Sequence, residues 1–213
     1  YVHTSYFTDS TYGRFGSNGM IVVNEKRAAL FDTPMTDSLT RKLIHYIQDS
    51  LKCKINYFVP NHFHNDCTEG IDIIDSLKIK IISSQKTYEI SAENNILVAS
   101  KTFTDTAQIQ LGNVLIVCDY LGAAHTEDNI VVWVDKDKVL FGGCMLRAME
   151  SKWIGNTSHA NLSEWPKTVK KIKKKYKYVE IVIPGHGNYN DANLYSHTLE
   201  LIQKHRKRKS GPF

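Results

Sequence analysis

Seven residues constrain this chain more than any others: Asn61-His62-Phe63-His64-Asn65-Asp66-Cys67. His62, His64 and Asp66 alternate with other residues, and in an extended segment alternate side chains point the same way. Two imidazoles and a carboxylate projecting together are donors that a divalent zinc ion accepts. The run Lys54-Ile55-Asn56-Tyr57-Phe58-Val59-Pro60 just upstream reads as a buried strand that Pro60 ends. The triplet therefore falls where a strand leaves a sheet, the usual position of a functional loop in a layered α/β protein.

The chain around it is long enough for a substantial core. It has 213 residues, 42% hydrophobic and 23% charged, ordinary values for a globular protein, and residues 1–213 read as one domain. Apolar runs such as Ile130-Val131-Val132-Trp133-Val134 are too short to span a bilayer, so no membrane role is expected. With neither an initiator Met nor a signal peptide, the sequence reads as a mature or trimmed chain. The formal charge of +5 is concentrated in Lys170–Lys175 and His205–Lys209. The first run reads as the wet face of a helix and the second as a frayed tail. Neither has the interleaved aromatics or motif of a nucleic-acid binder, so no nucleic-acid partner is expected. Four cysteines do not make a disulfide scaffold. Cys53 and Cys118 lie in apolar runs and read as core, whereas Cys67 and Cys144 lie in loops.

Taken in order, strands are expected at 18–23, 27–31, 54–60, 80–83, 102–103, 108–111, 114–118, 130–134, 138–141 and 180–183. Helices are expected on the stripe Leu39, Leu43, Ile44, Ile47, then at 71–77, 85–93 and 162–175, with a last one capped by Asp191 and running through Leu201. Residues 6–17, rich in Thr, Ser, Gly and Tyr, read either as a flexible hairpin loop covering something or as an ordinary N-terminal loop. Each half of the chain ends in helices, a pattern that suits a helix–sheet–sheet–helix sandwich better than a parallel wheel.

Three more donors follow apolar strands on glycine-rich loops: His125 after Gly122-Ala123-Ala124, Cys144 after Gly142-Gly143, and His186 within Pro184-Gly185-His186-Gly187. Each alone is equally a hydrogen-bonded loop histidine, a small buried thiol or a turn histidine. Together with the triplet they make six donors, enough for two zinc ions with positions left open for water and substrate, as in catalytic sites.

This ordered set resembles the class B, subclass 1 metallo-β-lactamases over nearly the whole chain, from Tyr1-Val2-His3-Thr4-Ser5 to the C-terminal helix. Other branches of that superfamily, such as glyoxalase II and RNase Z types, carry His after the motif Asp and a metal-bridging Asp; here those places hold Cys67 and Cys144. The resemblance implies a four-layer αβ/βα sandwich. It implies His62, His64 and His125 at one zinc, and Asp66, Cys144 and His186 at another. It further implies Arg147, where the family usually has Lys, as the receiver of the substrate carboxylate. Asn156 is implied to polarise the lactam carbonyl, and Tyr12 and Phe15 to close a hairpin over substrate. The implied activity is hydrolysis of the β-lactam amide of penicillins, cephalosporins and carbapenems by zinc-bound hydroxide oriented by Asp66, carried out by a periplasmic monomer. A thioesterase or lactonase on the same fold is the alternative. Cys67 stands where many members have Arg, which implies altered surroundings for Asp66. His3, His45, His159, His197 and His205 are expected not to be ligands.

Overall fold

A computed structural model describes residues 1–9, 13–93, 99–189, 191 and 193–209. Its strands are β1 (Val2–Asp9), β2 (Gly13–Asn24), β3 (Arg27–Phe31), β4 (Lys54–Val59), β5 (Lys80–Ser84), β6 (Lys101–Phe103), β7 (Thr106–Leu111), β8 (Val114–Asp119), β9 (Val131–Val134), β10 (Val139–Gly143) and β11 (Ile181–Pro184). Its helices are α1 (Asp37–His45), α2 (Asn65–Thr68), α3 (Ile71–Ser76), α4 (Gln85–Glu93), α5 (Trp165–Lys175) and α6 (Leu194–Lys209), with a wider turn at Tyr46–Ser50 after α1.

The strands form two sheets, β1-β2-β3-β4-β5-β6 and β11-β10-β9-β8-β7. The period-two alternation of apolar residues decides what each face packs against. Ala29 and Phe31 of β3 face the space between the sheets, where they meet Val114, Ile116 and Cys118 of β8 and Val132 and Val134 of β9. Their neighbours Ala28 and Leu30 face the other way, onto Leu43 and Ile44 of α1 and Ile74 of α3. In the second sheet Val131, Trp133, Leu140 and Val182 face outward onto Trp165, Val169 and Ile172 of α5. The result is the expected αβ/βα sandwich, with cores in all three interlayer spaces. Fully burying side chains of this size contributes roughly 1.5–3 kcal/mol each.

Buried amides join the two sheets at one rim. Asn61, just past β4, donates from Nδ2 to Ile130 O (2.6 Å) and accepts at its carbonyl from Ile130 N (3.0 Å). Asn18 of β2 donates from Nδ2 to Pro184 O and Gly187 O, at 3.0 and 2.8 Å. The loop after β4 is thereby tied to the residue leading into β9, and β2 to the loop after β11, and all of the candidate metal donors lie on this rim or beside it.

Three elements depart from the sequence reading. Residues 6–17 are largely paired strand rather than loop: β1 and β2 run antiparallel from Val2 opposite Met20 to Asp9 opposite Gly13. The pairing is favoured by β-forming Tyr, Phe and Thr residues and by the cross-strand Phe7–Phe15 contact at 6.2 Å. Tyr12 lies outside the described residues. The segment 205–209 is not a frayed tail but the last turns of α6. The metal run is extended only as far as His64; Asp66 lies in the first turn of α2, where a carboxylate is favoured by the free N–H groups.

Candidate metal centre

Three imidazoles gather first. His62 Nε2 lies 3.0 Å from His64 Nδ1, and His125 Nε2 lies 3.3 Å from the same atom. Ring centroids are 4.7 Å apart for His62–His64 and 5.1 Å for each of the other pairs. Burial depresses the basicity of each ring: His62 is pushed down to about 3, and His64 and His125 are also lowered. Near neutral pH the three are uncharged, which is the form whose lone pair a metal takes.

Asp66, Cys144 and His186 form a second group beside the first. Cys144 Sγ lies 3.4 Å from Asp66 Oδ2 and 3.3 Å from His186 Nε2, and His186 Nε2 lies 3.3 Å from Asp66 Oδ2. The donor atoms of this trio lie within 4.8 Å of one another, as do those of His62, His125 and Cys144 and those of His62, His64 and Asp66. Cys144 sits on the turn after β10, and His186 is fixed by its Nδ1 against Gly16 O at 2.9 Å. The Asp66 carboxyl is pulled two ways. Burial raises its pKa, but the imidazoles of His186, His62 and His125 outweigh that and hold it well below the usual carboxylate range.

The spacing comes within about 0.3 Å of what zinc requires. Tetrahedral ligands with zinc–nitrogen and zinc–oxygen bonds near 2.0–2.2 Å and a zinc–sulfur bond near 2.3 Å stand about 3.3–3.6 Å apart. The observed donor separations are 3.0–3.4 Å. Both groups also have the chemistry of zinc sites, neutral imidazoles in one and a nitrogen, oxygen and sulfur set in the other.

The surrounding residues fall into place unevenly. Phe15 of the hairpin packs edge-on against His186, with ring centroids 5.7 Å apart. The guanidinium of Arg147 lies under Gly155: a Cβ built on that glycine would come within 3.1 Å of Nη1. The Nε of Arg147 is buried and lacks a hydrogen-bond partner among the described residues. Asn156 is exposed, and its Oδ1 accepts from Ser158 N at 2.9 Å, leaving Nδ2 to donate elsewhere.

Contacts around the donors were not visible in the sequence. Cys67, expected to act on Asp66, reaches it and His62 as well: its Sγ is 4.0 Å from Asp66 Oδ1 and 3.1 Å from His62 Nδ1. The thiol also hydrogen-bonds to the buried carboxyl of Asp32, whose Oδ1 accepts from Asn61 N at 2.6 Å. Burial drives the acidity of both Asp32 and Cys67 down, so their pKa values lie well above the ordinary ones. His159 approaches His64 from outside, Nδ1 to Nε2 at 2.9 Å. His3, His45 and His197 belong to none of the donor groups and are engaged elsewhere, with Asp32 O, Asp49 and Ser151 O. Cys53 and Cys118 are buried and unpaired.

No protein-family model matches the chain. Over 212 residues, covering 100% of this chain and 85% of the relative, it is 38% identical to a metallo-β-lactamase type 2 of Bacteroides fragilis. It is 33% identical over 215 residues to one of Pseudomonas aeruginosa, again covering 100% of this chain and 85% of the relative. Among solved structures, a metallo-β-lactamase from Pontibacter korlensis superposes with a TM-score of 0.91 at 33% identity, covering 95% of this chain and 94% of that one.

Proposed function

Because this chain belongs to the metallo-β-lactamase family, we propose that it hydrolyses the β-lactam amide of penicillins, cephalosporins and carbapenems with two zinc ions. The observation that carries this reading is the donor pattern. Three neutral imidazoles stand beside an oxygen, sulfur and nitrogen trio, with separations of 3.0–3.4 Å, on one rim of the sandwich. His62, His64 and His125 would hold one ion; Asp66, Cys144 and His186 would hold the other. Six donors on four loops exceed what one closed structural site uses.

Zinc bound in these places supplies Lewis acidity toward the carbonyl oxygen and the departing nitrogen, and brings the pKa of a bound water to about 7. The chain's own groups do the rest. Asp66 keeps its negative charge and lies between the two donor groups. Its Oδ2 sits among Cys144 and His186, and its Oδ1 is 3.8 Å from His62 Nε2. That oxygen can accept a hydrogen bond from the attacking water and so aim the water's lone pair at the carbonyl. Asn156, whose Oδ1 accepts from Ser158 N, keeps Nδ2 free of that contact and would donate from it to the carbonyl oxygen as charge builds there. Arg147 receives the substrate carboxylate on a planar fork, where lysine would offer a point charge. Phe15, on the hairpin and packed edge-on against His186, covers the apolar side of the substrate and excludes water. No side-chain nucleophile is required, so no covalent acyl-enzyme forms.

We place the enzyme in the periplasm as a monomer in which residues 1–213 act as a single domain. In support of the single domain, the core between the sheets draws on both halves of the chain; no helix among the described residues is long and apolar enough to cross a membrane. The test is turnover of a chromogenic cephalosporin, a penicillin and a carbapenem with and without chelator. Chelator-sensitive hydrolysis of all three is expected. A zinc-loaded protein that cleaves none of them, but does cleave a thioester or lactone, would overturn the assignment.

A further inference from the structure

His64 is held from both sides. Its Nδ1 faces the two other imidazoles, 3.0 Å from His62 Nε2 and 3.3 Å from His125 Nε2. Its Nε2 faces outward and lies 2.9 Å from His159 Nδ1. An imidazole that gives its Nδ1 lone pair to a cation carries its proton on Nε2, so His64 must be the donor in this contact and His159 Nδ1 the acceptor. His159 is itself positioned by Phe63, at a centroid distance of 5.2 Å, and by Ser158 Oγ, 3.3 Å from the same Nδ1. The turn that holds it is the one in which Ser158 N anchors Asn156.

Metal-bound histidines ordinarily donate their second N–H to a carboxylate, a backbone carbonyl or water, which fixes the tautomer and raises ligand basicity. Here the acceptor is an uncharged ring nitrogen. It fixes the orientation as well as a carboxylate would, but places no negative charge behind the ligand. We propose that His159 is a positioning residue: it locks His64 in the Nε2–H tautomer and, as a neutral acceptor, sets the affinity of the three-histidine site below the level that a carboxylate in its place would confer. The proposal rests on the two-zinc reading above. It also joins that site to the Asn156 turn, because the same short segment holds both.

Three variants of the full-length holoprotein separate the possibilities. His159→Phe keeps a ring against Phe63 and removes the acceptor. His159→Asn puts an amide oxygen close to where Nδ1 was. His159→Asp supplies a charged acceptor. Zinc affinity at each site is read by competition with a chromophoric chelator, and the three-histidine site is followed separately by its cobalt(II) absorption bands. His159→Phe is expected to weaken zinc at the three-histidine site by roughly 10- to 100-fold, the usual cost of losing such a partner, with the sulfur-containing site unchanged. His159→Asn should restore most of the loss, and His159→Asp should bind more tightly than the parent protein.

A folded His159→Phe variant with unchanged affinity and cobalt bands overturns the proposal, as does a His159→Asn variant no better than Phe. A His159→Asp variant no tighter than the parent overturns the part concerning charge. If the parent protein itself takes up no metal through the three imidazoles, the reading of the site fails and this proposal fails with it. Parent protein carrying two metals beside an indifferent Phe variant sinks the proposal alone.

Discussion

Gly185 offers the most direct handle on the second half of the metal centre. A Cβ added there would lie 2.4 Å from Cys144 Sγ, 2.7 Å from Cys144 N and 3.0 Å from Cys144 Cα. Comfortable contact between heavy atoms begins at about 3.5 Å, so the sulfur would have to move by roughly 1 Å. The backbone atoms of Cys144 close off an easy retreat. Gly185 does not have a left-handed φ, so the clash, and not backbone strain, would account for the effect. Overpacking of this kind costs about 1–3 kcal/mol. The larger consequence is functional, because metal ligands must sit within about 0.2 Å of ideal distance, and a 1 Å misplacement costs on the order of 100-fold in rate. Gly185→Ala is therefore expected to fold, to bind one zinc tightly and the second poorly, and to lose about 100-fold in kcat/KM. Dialysis against limiting zinc with metal analysis, thermal unfolding and cephalosporin turnover measure the three quantities. A variant that retains two tightly held ions and parental turnover would show that Cys144 and His186 do not act through the geometry described.

Other perturbations reach different parts of the account. Cys144→Ser should weaken the second zinc far more than the first, as chelator competition would show. Arg147→Ala should raise KM for substrates bearing a carboxylate by about 30-fold, from the roughly 2 kcal/mol of a charge-assisted pair, with kcat little changed; Arg147→Lys should recover part of it in the same steady-state assay. His3 tests stability. Burial in the first sheet pushes its ring down to about 4, against the hydrogen bond to Asp32 O, so the folded state excludes a proton that the unfolded chain accepts below about 6.5. Its contribution to stability is complete above pH 6.5 and is lost as pH falls from there toward 4. Full burial would make that about 3 kcal/mol, and partial exposure of the ring trims it to about 2. His3→Gln should flatten this part of the pH dependence in denaturant melts, and an unchanged slope would refute the assignment.

The strands were readable because their alternation is local. Ala28 to Phe31 and Val131 to Val134 write the two faces of each sheet directly into the sequence. The donors were readable because metal chemistry admits few residue types and glycines mark the loops that carry them. What escaped depends on pairs distant in the chain. Asn18 and Asn61 look like ordinary turn residues, and only the packing of one sheet on the other reveals them as ties to Pro184, Gly187 and Ile130. Cys67 stands beside Asp66 in sequence, yet the first turn of α2 rotates its sulfur toward His62. His159 is 95 residues from the imidazole it touches, and its one local clue was its closeness to Asn156. Composition misled at the hairpin, where Ser, Thr and Gly suggested a loop but paired aromatics hold strands together. It misled again at the C-terminus, where like charges suggested fraying within what is the end of α6.

X-ray absorption at the zinc edge, on protein loaded to saturation, addresses the central claim most directly. Two zinc ions per chain are expected, with imidazole nitrogen dominating the scattering near 2.0–2.1 Å and one sulfur for every two metals near 2.3 Å. Replacing Cys144 by Ser should remove the sulfur shell. A single zinc per chain with no sulfur neighbour, or a sulfur shell that survives in that variant, would contradict the account.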